Sequence, residues 1–190
     1  RLSIFSYLFY GILKSSTKCS VCGKKLYNYQ YFHFLSFPVF KFKDKDLNIY
    51  SGFKEFAKPE IMNGNNQCYC QNCKGLRDAE TKSVIFYTPP YLIINFDYGQ
   101  NKIYKPKKVD FGASIDITGF TDKNCTEKTY ELIGVSSHIG SSGNSGHYIA
   151  YCKDNNNLWH TFNDSSVSEC LFNNVNSNTP YILVFRRVRI

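Results

Sequence analysis

The sequence has no apolar run long enough to cross a membrane. Its most hydrophobic start, Leu2 to Leu13, is interrupted by Ser3 and Ser6, and a membrane-spanning helix needs about 20 apolar residues. That start also lacks a charged leader and a small-residue cleavage site, which are the marks of a signal peptide. We therefore expect no membrane association and a reducing compartment, the cytoplasm or the nucleus.

Internal repeats and low-complexity linkers are also absent, which excludes solenoids and gives no sign of a domain boundary. A chain of 190 residues with 43% apolar residues can bury one sizeable core. We therefore expect one domain over residues 1–190. Because Arg1 rather than a methionine stands first, we expect a fragment, a processed form or a partial gene model.

Methionine and tryptophan are scarce, with one of each, whereas phenylalanine and tyrosine occur 16 and 15 times. Aromatic side chains favour pleated, half-buried strands over long helices. Short β-branched or aromatic runs, bounded by Pro, Gly, Asn or Asp, indicate several strands. These predicted strands are Ser83 to Tyr87, Tyr91 to Phe96, Tyr130 to Ser137, His147 to Cys152, Trp159 to Phe162 and Tyr181 to Arg186.

The segment before these strands predicts one more strand and one helix. Aromatic alternation favours a strand over Tyr31 to Phe42. From Asp46 to Ala57, apolar residues recur on one helical face, Asp46 can cap the start, and Pro59 stops the pattern. The expected fold class is therefore α+β, dominated by antiparallel strands.

The formal charge of +8 would attract anions such as nucleic acid. The lysines are scattered, however, and their densest stretch, Lys102 to Lys108, is short and broken by Pro106. A solvated hairpin is the simpler interpretation of that stretch. We therefore expect no nucleic-acid partner.

Four of the eight cysteines form two Cys-x-x-Cys pairs, Cys19 with Cys22 and Cys70 with Cys73. Two thiolates at this spacing can bind one ion, and the glycine near each pair lets the backbone turn tightly. Together the pairs predict one structural Zn²⁺ in a four-cysteine site carried by two separate hairpins. Ordinary buried or disulfide-bonded cysteines are the alternative.

Cys68 lies two residues before Cys70 and could compete as a ligand. Of Cys68 and Cys70, however, only Cys70 has a partner at the Cys-x-x-Cys spacing, which is Cys73. The remaining cysteines are expected to be free or buried thiols: Cys125, Cys152 and Cys170.

His147 is the candidate imidazole of a cysteine protease, which also needs a thiolate and a third group that fixes the tautomer of the imidazole. It follows the polar loop 141–146 and opens an apolar strand, so a rigid strand end would hold it beside a mobile loop. Asn163 and Asp164 end the next short strand, and antiparallel pairing would bring one of them beside His147. Taken alone, such a histidine is more often structural.

A longer set of matched strings favours catalysis. In order and approximate spacing, the chain resembles the ubiquitin-specific cysteine proteases over nearly its whole length. The strings that resemble the histidine box of that family are Tyr130–Val135, His138–Gly140, Gly146–Tyr151, Trp159, Phe162–Asp164, Val167 and Pro180–Phe185. The upstream strings in the same order are Phe9–Gly11, the two cysteine pairs, Pro59–Glu60 and Pro90–Ile94.

The resemblance implies a papain-like fold whose three parts are named fingers, palm and thumb. Zinc-clipped fingers over approximately residues 12–90 and a palm over approximately residues 91–190 would grip ubiquitin, with the thumb largely missing. The expected activity is thiol-dependent hydrolysis of the isopeptide or peptide bond after the C-terminal glycine of ubiquitin.

The resemblance also implies the roles of individual residues. His147 would be the catalytic imidazole, Asn163 would complete the triad, and Asp164 would be a neighbour that assists. The channel for the tail of ubiquitin would be bordered by His138, Gly146 and Tyr148.

Two departures from the family pattern accompany this match. The cysteine box of the family would lie before Arg1, and no cysteine here stands in that context. We therefore expect the nucleophile upstream, in a complete protein that is active although this chain alone is inactive. Where many members carry a basic-aromatic pair, this sequence has Asn95 to Gly99.

Two alternatives stay open at this point. A catalytically inactive, ubiquitin-binding pseudoprotease would keep the fingers and palm without a cysteine box. A zinc-ribbon module that binds nucleic acid would fit the charge and the cysteine pairs, but it explains nothing after Tyr130.

Overall fold

The computed structural model describes residues 3–42, 47–99, 108–142, 145–176 and 179–188. The predicted lysine-rich hairpin lies outside these ranges, apart from Lys108. Within them the helices are α1 (Ile4–Phe9), α2 (Ile49–Phe56) and α3 (Phe172–Asn176). The strands are β1 (Gly11–Cys19), β2 (Lys25–Phe32), β3 (Leu35–Pro38), β4 (Glu60–Met62), β5 (Cys68–Cys70), β6 (Gly75–Arg77), β7 (Ala79–Tyr87), β8 (Tyr91–Asp97), β9 (Ser114–Asp116), β10 (Thr129–Ser142), β11 (Ser145–Lys153), β12 (Trp159–Asn163), β13 (Ser166–Cys170) and β14 (Pro180–Arg187).

A large sheet in the order β13-β12-β11-β10-β14-β8-β3, with β9 paired to β10, forms the main body. Its strands pair antiparallel except β3 and β8, which run parallel. Antiparallel neighbours need only short turns, which suits the short polar loops of the sequence. The predicted α+β class is confirmed.

Alternating apolar residues on the central strands build the core. In β8, Leu92, Ile94 and Phe96 are buried, and Leu183 and Phe185 of β14 lie opposite the first two. Because strand side chains alternate between faces, these residues all meet on one side of the sheet. Full burial of each such side chain stabilises the fold by about 1.5–3 kcal/mol.

A smaller sheet, in the order β2-β1-β7-β4, and the β5–β6 hairpin carry the cysteine pairs. A salt bridge of 2.9 Å between Lys14 of β1 and Asp122 connects the small sheet to the segment before β10. The backbone N–H of Asp122 also donates to the carbonyl of Ile85 in β7, at 2.7 Å. These contacts fix the small sheet beside the large one.

The predicted strand from Tyr31 to Phe42 is wrong as a single element. The chain leaves the small sheet after Phe32, enters the large sheet as β3, and then forms a 3₁₀ turn over Val39–Lys41. Pro38 ends β3 because proline has no N–H for the strand ladder. The aromatic alternation was real, but it belonged to strands of two different sheets.

The predicted helix is present but shorter than expected. It begins at Ile49, and its cap is Asn48, whose side chain accepts a hydrogen bond from the N–H of Ser51 at 3.0 Å. The expected cap, Asp46, lies outside the described residues. In the described part of the chain, no helix has the length and apolar character to pass through a bilayer.

Candidate active site and metal centre

His147 lies on β11 close to the end of the large sheet. The predicted strand opened at His147, whereas β11 begins at Ser145, so the histidine is the third residue of its strand. Its partner across the β10–β11 ladder is Ile139, and the alternation of β11 puts it on the same face as Ile149 and Tyr151, which are buried. A well-packed strand therefore fixes its backbone.

Asn163 is the last residue of β12, the neighbour of β11. Its Oδ1 lies 2.5 Å from Nε2 of His147. An amide oxygen can only accept, so Nε2 must carry the proton and donate it. The other ring nitrogen, Nδ1, then keeps its lone pair and is the base of the neutral imidazole. The structure thus brings together the predicted His147 and Asn163.

Asp164 lies in the two-residue turn between β12 and β13, with a φ of 51°. Its Oδ2 is 3.9 Å from Nε2 of His147, and its side chain is 83% exposed. At that distance and exposure, solvent screens most of the attraction between the two groups. Asn163 is therefore the dominant contact of the imidazole, and Asp164 is peripheral.

No cysteine sulfur lies within hydrogen-bonding distance of His147 among the described residues. Cys152 is the cysteine of the same strand, but it lies on the opposite face of β11. It also lies five residues along the strand, which is about 16 Å at the usual rise. Partial desolvation raises the pKa of its thiol, although Cys152 is exposed, and a raised pKa is the opposite of what activates a nucleophile.

His138 and Tyr148 face each other directly across the β10–β11 ladder, on the side of the sheet opposite His147. Their ring centroids are 4.7 Å apart, and His138 is almost fully buried. A Cβ on Gly146 would lie 2.1 Å from Nε2 of His138 and 2.8 Å from the carbonyl oxygen of Ile139. Close packing against His138 is therefore the reason for a glycine directly before His147.

Sequence reasoning missed the aromatic wall around Tyr148. Tyr148 meets Tyr181 edge to face at 5.6 Å, and Tyr181 stacks on Tyr98 at 6.1 Å. The hydroxyl of Tyr98 donates to the carbonyl of Pro180 at 2.6 Å, which holds its ring in place. Only the pairing of β8 with β14 and of β14 with β10 brings these rings together, and no local pattern indicates that order.

The four predicted metal ligands, Cys19, Cys22, Cys70 and Cys73, form one cluster. Their Sγ atoms all lie within 4.8 Å of one another, and those of Cys22 and Cys70 are 3.6 Å apart. A tetrahedral Zn²⁺ with bonds of about 2.3 Å needs sulfur atoms about 3.8 Å apart. The thiols therefore fit one tetrahedral ion.

Two hairpins present these thiols, as predicted. The first pair lies at the turn between β1 and β2, where Gly23 has a φ of 70°, and the second at the turn between β5 and β6, where Lys74 has a φ of 54°. Asp78, directly after β6, ties the two hairpins together. Its carboxylate accepts from Gln67, just before β5, at 2.7 Å, and its carbonyl accepts from the N–H of Ser20 in the first hairpin at 2.9 Å.

The thiols of the cluster influence one another strongly. The backbone N–H of Lys24 lowers the pKa of Cys22 to about 6, while the hydrogen bond with Cys22 raises that of Cys73 to about 12. Thiols this close resist joint ionisation, and a bound divalent cation removes that resistance.

The remaining cysteines are all free thiols, and none belongs to the four-sulfur cluster. Cys68, the possible competitor, lies on β5 opposite Arg77. The Sγ of Cys125 lies 3.7 Å from the hydroxyl of Thr88. The cluster therefore consists of the two Cys-x-x-Cys pairs that the sequence predicted as ligands.

A family model described as ubiquitin carboxyl-terminal hydrolase matches residues 1–185. The chain belongs to the ubiquitin carboxyl-terminal hydrolase family. Its sequence relatives carry the same description. It is 33% identical to the probable ubiquitin carboxyl-terminal hydrolase 16 of Schizosaccharomyces pombe, over 97% of this chain and 40% of the relative. It is 30% identical to ubiquitin carboxyl-terminal hydrolase 2 of Homo sapiens, over 94% of this chain and 30% of the relative.

Solved structures of the family have the same fold. A SAGA DUB module containing Ubp8 and bound to monoubiquitin matches with a TM-score of 0.87 and 26% identity, over 100% of this chain and 43% of that one. A second such module, bound to ubiquitin aldehyde, matches with a TM-score of 0.85 and 25% identity, over 100% of this chain and 44% of that one. The chain thus spans less than half the length of each of these four proteins.

Proposed function

We propose that the complete protein is a cysteine-type deubiquitinase and that this chain supplies its imidazole and the amide that orients it. The contact between Nε2 of His147 and Oδ1 of Asn163 is the observation that carries the proposal. A histidine with one ring nitrogen held by an amide oxygen and the other left as a base is the partner that a nucleophilic thiol requires.

The proposed mechanism starts with proton transfer from the thiol to Nδ1 of His147. The thiolate attacks the carbonyl carbon of the last glycine of ubiquitin, and the protonated imidazole then donates to the leaving amine. Asn163 holds the ring in one tautomer and orientation throughout. Asp164 adds a weak attraction for the imidazolium, because it is distant and exposed.

We place the nucleophilic thiol outside these 190 residues. In the described part of the chain no cysteine contacts His147, and the relatives from Schizosaccharomyces pombe and Homo sapiens are more than twice as long as the matched region. The chain alone is then inactive.

The four-cysteine cluster is proposed to hold one structural Zn²⁺. With four protein ligands the ion has no position left for substrate, so its contribution is to clip the two hairpins together. We also propose a division into fingers over approximately residues 12–90 and a palm over approximately residues 91–190. The grouping of the strands into two sheets supports it, except that β3 of the first part joins the large sheet.

Ubiquitin, or a protein that carries it, is the proposed partner, because the structural relatives are described as bound to ubiquitin. The free thiols fit a reducing compartment, the cytoplasm or the nucleus. We expect no nucleic-acid partner, since neither the family match nor the His147–Asn163 pair requires one.

The test is release of a fluorophore from the C-terminus of ubiquitin by the complete natural protein. Controls are the same protein with His147→Ala and the 190-residue chain by itself. We expect activity in the first sample only. The side chain of His147 is 44% exposed, so the variant should keep the melting temperature of the wild type.

Normal turnover by the His147→Ala protein would overturn the catalytic assignment. Silence in all three samples, together with binding of ubiquitin, would instead establish the pseudoprotease. Salt-dependent binding to DNA or RNA without ubiquitin binding would favour the zinc-ribbon alternative.

A further inference from the structure

A pocket of about 210 Å³ opens between the two cysteine hairpins. Residues of β1, β2, β5, β6 and β7 line this hairpin pocket, and two buried cysteines of the cluster, Cys19 and Cys70, belong to its wall. A drug-sized ligand needs a cavity of about 300 Å³ or more, so the pocket suits a single side chain. None of the described residues that line it belongs to the large sheet, so it is separate from the candidate active site.

Apolar surface is exposed at this pocket. Leu26 and Tyr69 line it and yet are 67% and 61% exposed. Leu76, which faces Tyr69 across the β5–β6 ladder, is also exposed. Single exposed apolar residues are common, but here three large ones lie on two adjacent hairpins. An apolar side chain of a partner that covers them would therefore gain favourable burial.

The two hairpins are also strongly basic. Residues 18–25 and 68–77 contain no aspartate or glutamate. They contain five cationic residues: Lys18, Lys24, Lys25, Lys74 and Arg77. One Zn²⁺ bound by four thiolates carries a charge of −2, so five cations leave these segments at about +3 with the metal in place. The metal cluster therefore does not neutralise them.

The cations at the pocket itself are Lys24, Lys25 and Arg77, and no acidic residue stands among the described residues that line it. The ion pairs between described residues involve none of these three. Asp78, the next residue after Arg77, accepts from Gln67. Three cations beside exposed apolar surface therefore leave the pocket complementary to an acidic ligand.

The lining favours a peptide over a nucleic acid. Proteins that bind single-stranded nucleic acid stack successive bases on several aromatic rings along a groove. Tyr69 is the one aromatic residue in the described lining, and the pocket is small and local. A peptide needs one apolar side chain for the pocket and carboxylates for its rim.

We propose that the hairpin pocket docks an acidic segment of a partner protein. One apolar side chain of the segment inserts between the hairpins, and its carboxylates pair with Lys24, Lys25 and Arg77. Arginine can hold a carboxylate by two parallel hydrogen bonds, and the lysines add charge. The pocket is then a recruitment site that takes no part in cleavage, and it does not depend on the assignment of His147.

The test uses the complete natural protein, purified with zinc, and a fluorescent peptide that has one phenylalanine between two pairs of glutamates. Fluorescence anisotropy measures the Kd. One control peptide carries glutamine in place of every glutamate, and the other carries alanine in place of phenylalanine. We expect each control to bind about tenfold more weakly or worse, because the first lacks the charge and the second lacks the apolar contact.

Variants of the protein locate the site. Lys25→Gln should weaken binding of the acidic peptide by about threefold, and its combination with Arg77→Gln by about tenfold or more. Lys54→Gln should bind like the wild type, since Lys54 is exposed on α2 and does not line the pocket. Zinc content and melting temperature show whether each variant keeps its hairpins. The exposed Lys25 keeps the test valid even if the Arg77 variant loses zinc.

Equal binding of the acidic and glutamine peptides overturns the proposal, as does full affinity in the double variant or a lack of binding at millimolar concentration. Displacement of the peptide by ubiquitin also overturns it, because the pocket would then belong to the surface that binds ubiquitin. Tighter binding of a single-stranded oligonucleotide, lost in the same variants, would replace the acidic peptide by nucleic acid. His147→Ala should bind the peptide like the wild type, so the pocket and the catalytic assignment can fail separately.

Discussion

At the residue scale, the amide oxygen of Asn163 accepts from Nε2 of His147 and so leaves the lone pair of the neutral ring on Nδ1. A carboxylate at position 163 would also accept from Nε2, but an alanine would leave the ring free to rotate and to change tautomer. The site therefore depends on one hydrogen bond and much less on the net charge of the hairpin.

Asn163→Ala should lower kcat/KM for ubiquitin cleavage by the complete protein by about 10²-fold or more, because general acid-base catalysis of this size depends on a positioned imidazole. Asp164→Asn should lower it less than about fivefold, as expected for an exposed ion pair. Steady-state kinetics on both variants check this. A larger loss from Asp164→Asn than from Asn163→Ala would reverse the two roles.

Gly146→Ala should destabilise the protein by about 1–3 kcal/mol, because the new methyl group collides with His138 and with the backbone of Ile139. Urea unfolding measures the change. Gly119→Ala is the control, since a Cβ at Gly119 meets nothing within 4 Å. An equal change in both variants would show that the packing against His138 has no energetic importance.

At the element scale, the two cysteine hairpins turn with the same left-handed backbone but with different residues. Gly23 adopts its positive φ without steric cost, whereas Lys74 adopts a similar φ with a Cβ. The pair gives an internal comparison of backbone strain in two similar turns.

Gly23→Ala should lower the free energy of unfolding, and Lys74→Gly should leave it unchanged or raise it, each by about 1 kcal/mol. A Cβ at Gly23 meets nothing within 4 Å, so any loss there is a backbone effect. Chemical denaturation with metal bound tests both variants. Destabilisation by Lys74→Gly would contradict the account.

Cys70→Ser should release the metal and unfold the β5–β6 hairpin, while Cys68→Ser should keep one equivalent of zinc. Metal content by atomic emission and the melting temperature report both effects. If Cys70→Ser kept its zinc and Cys68→Ser lost it, the ligand set would have to include Cys68.

Long, regular elements were predictable from sequence, and crossings between sheets were not. Local patterns correctly predicted the strand from Tyr130, the strand from Tyr181 and both cysteine pairs. The division of the Tyr31 to Phe42 segment depends on which sheet accepts each half, which is a tertiary choice. The aromatic wall of Tyr98 and Tyr181 was missed for the same reason.

At the scale of the whole molecule, the Lys14–Asp122 salt bridge joins the small sheet to the segment that leads into the large one. The hydrogen bond from Lys14 lowers the pKa of Asp122 below its ordinary 3.8, and the same bond raises the pKa of Lys14 above its ordinary 10.5. Both shifts mean that the charged pair favours the folded state.

Asp122→Asn should therefore be less stable than the wild type between the two ordinary pKa values. A depressed carboxyl pKa contributes stability above the unfolded value, and this is lost as pH falls through the folded value. A raised lysine pKa contributes stability below the unfolded value, and this is lost as pH rises through the folded value.

Urea unfolding from pH 3 to pH 11 measures the difference between the two proteins, which should shrink at both ends of that range. Asp110→Asn is the control, because Asp110 is exposed and the same charge is removed there. A constant difference at every pH would mean that packing rather than charge links the sheets.

The position of β14 in the large sheet has a consequence for the order in which the protein assembles. It is the latest strand in chain order among the described residues, yet it lies between β8 and β10. While the chain is still being made on a ribosome, β8 and β10 have no shared neighbour, and their apolar faces and open edges stay exposed to other chains. Completion of the sheet must therefore wait until β14 leaves the exit tunnel, and a stall before that point would leave a product prone to aggregation.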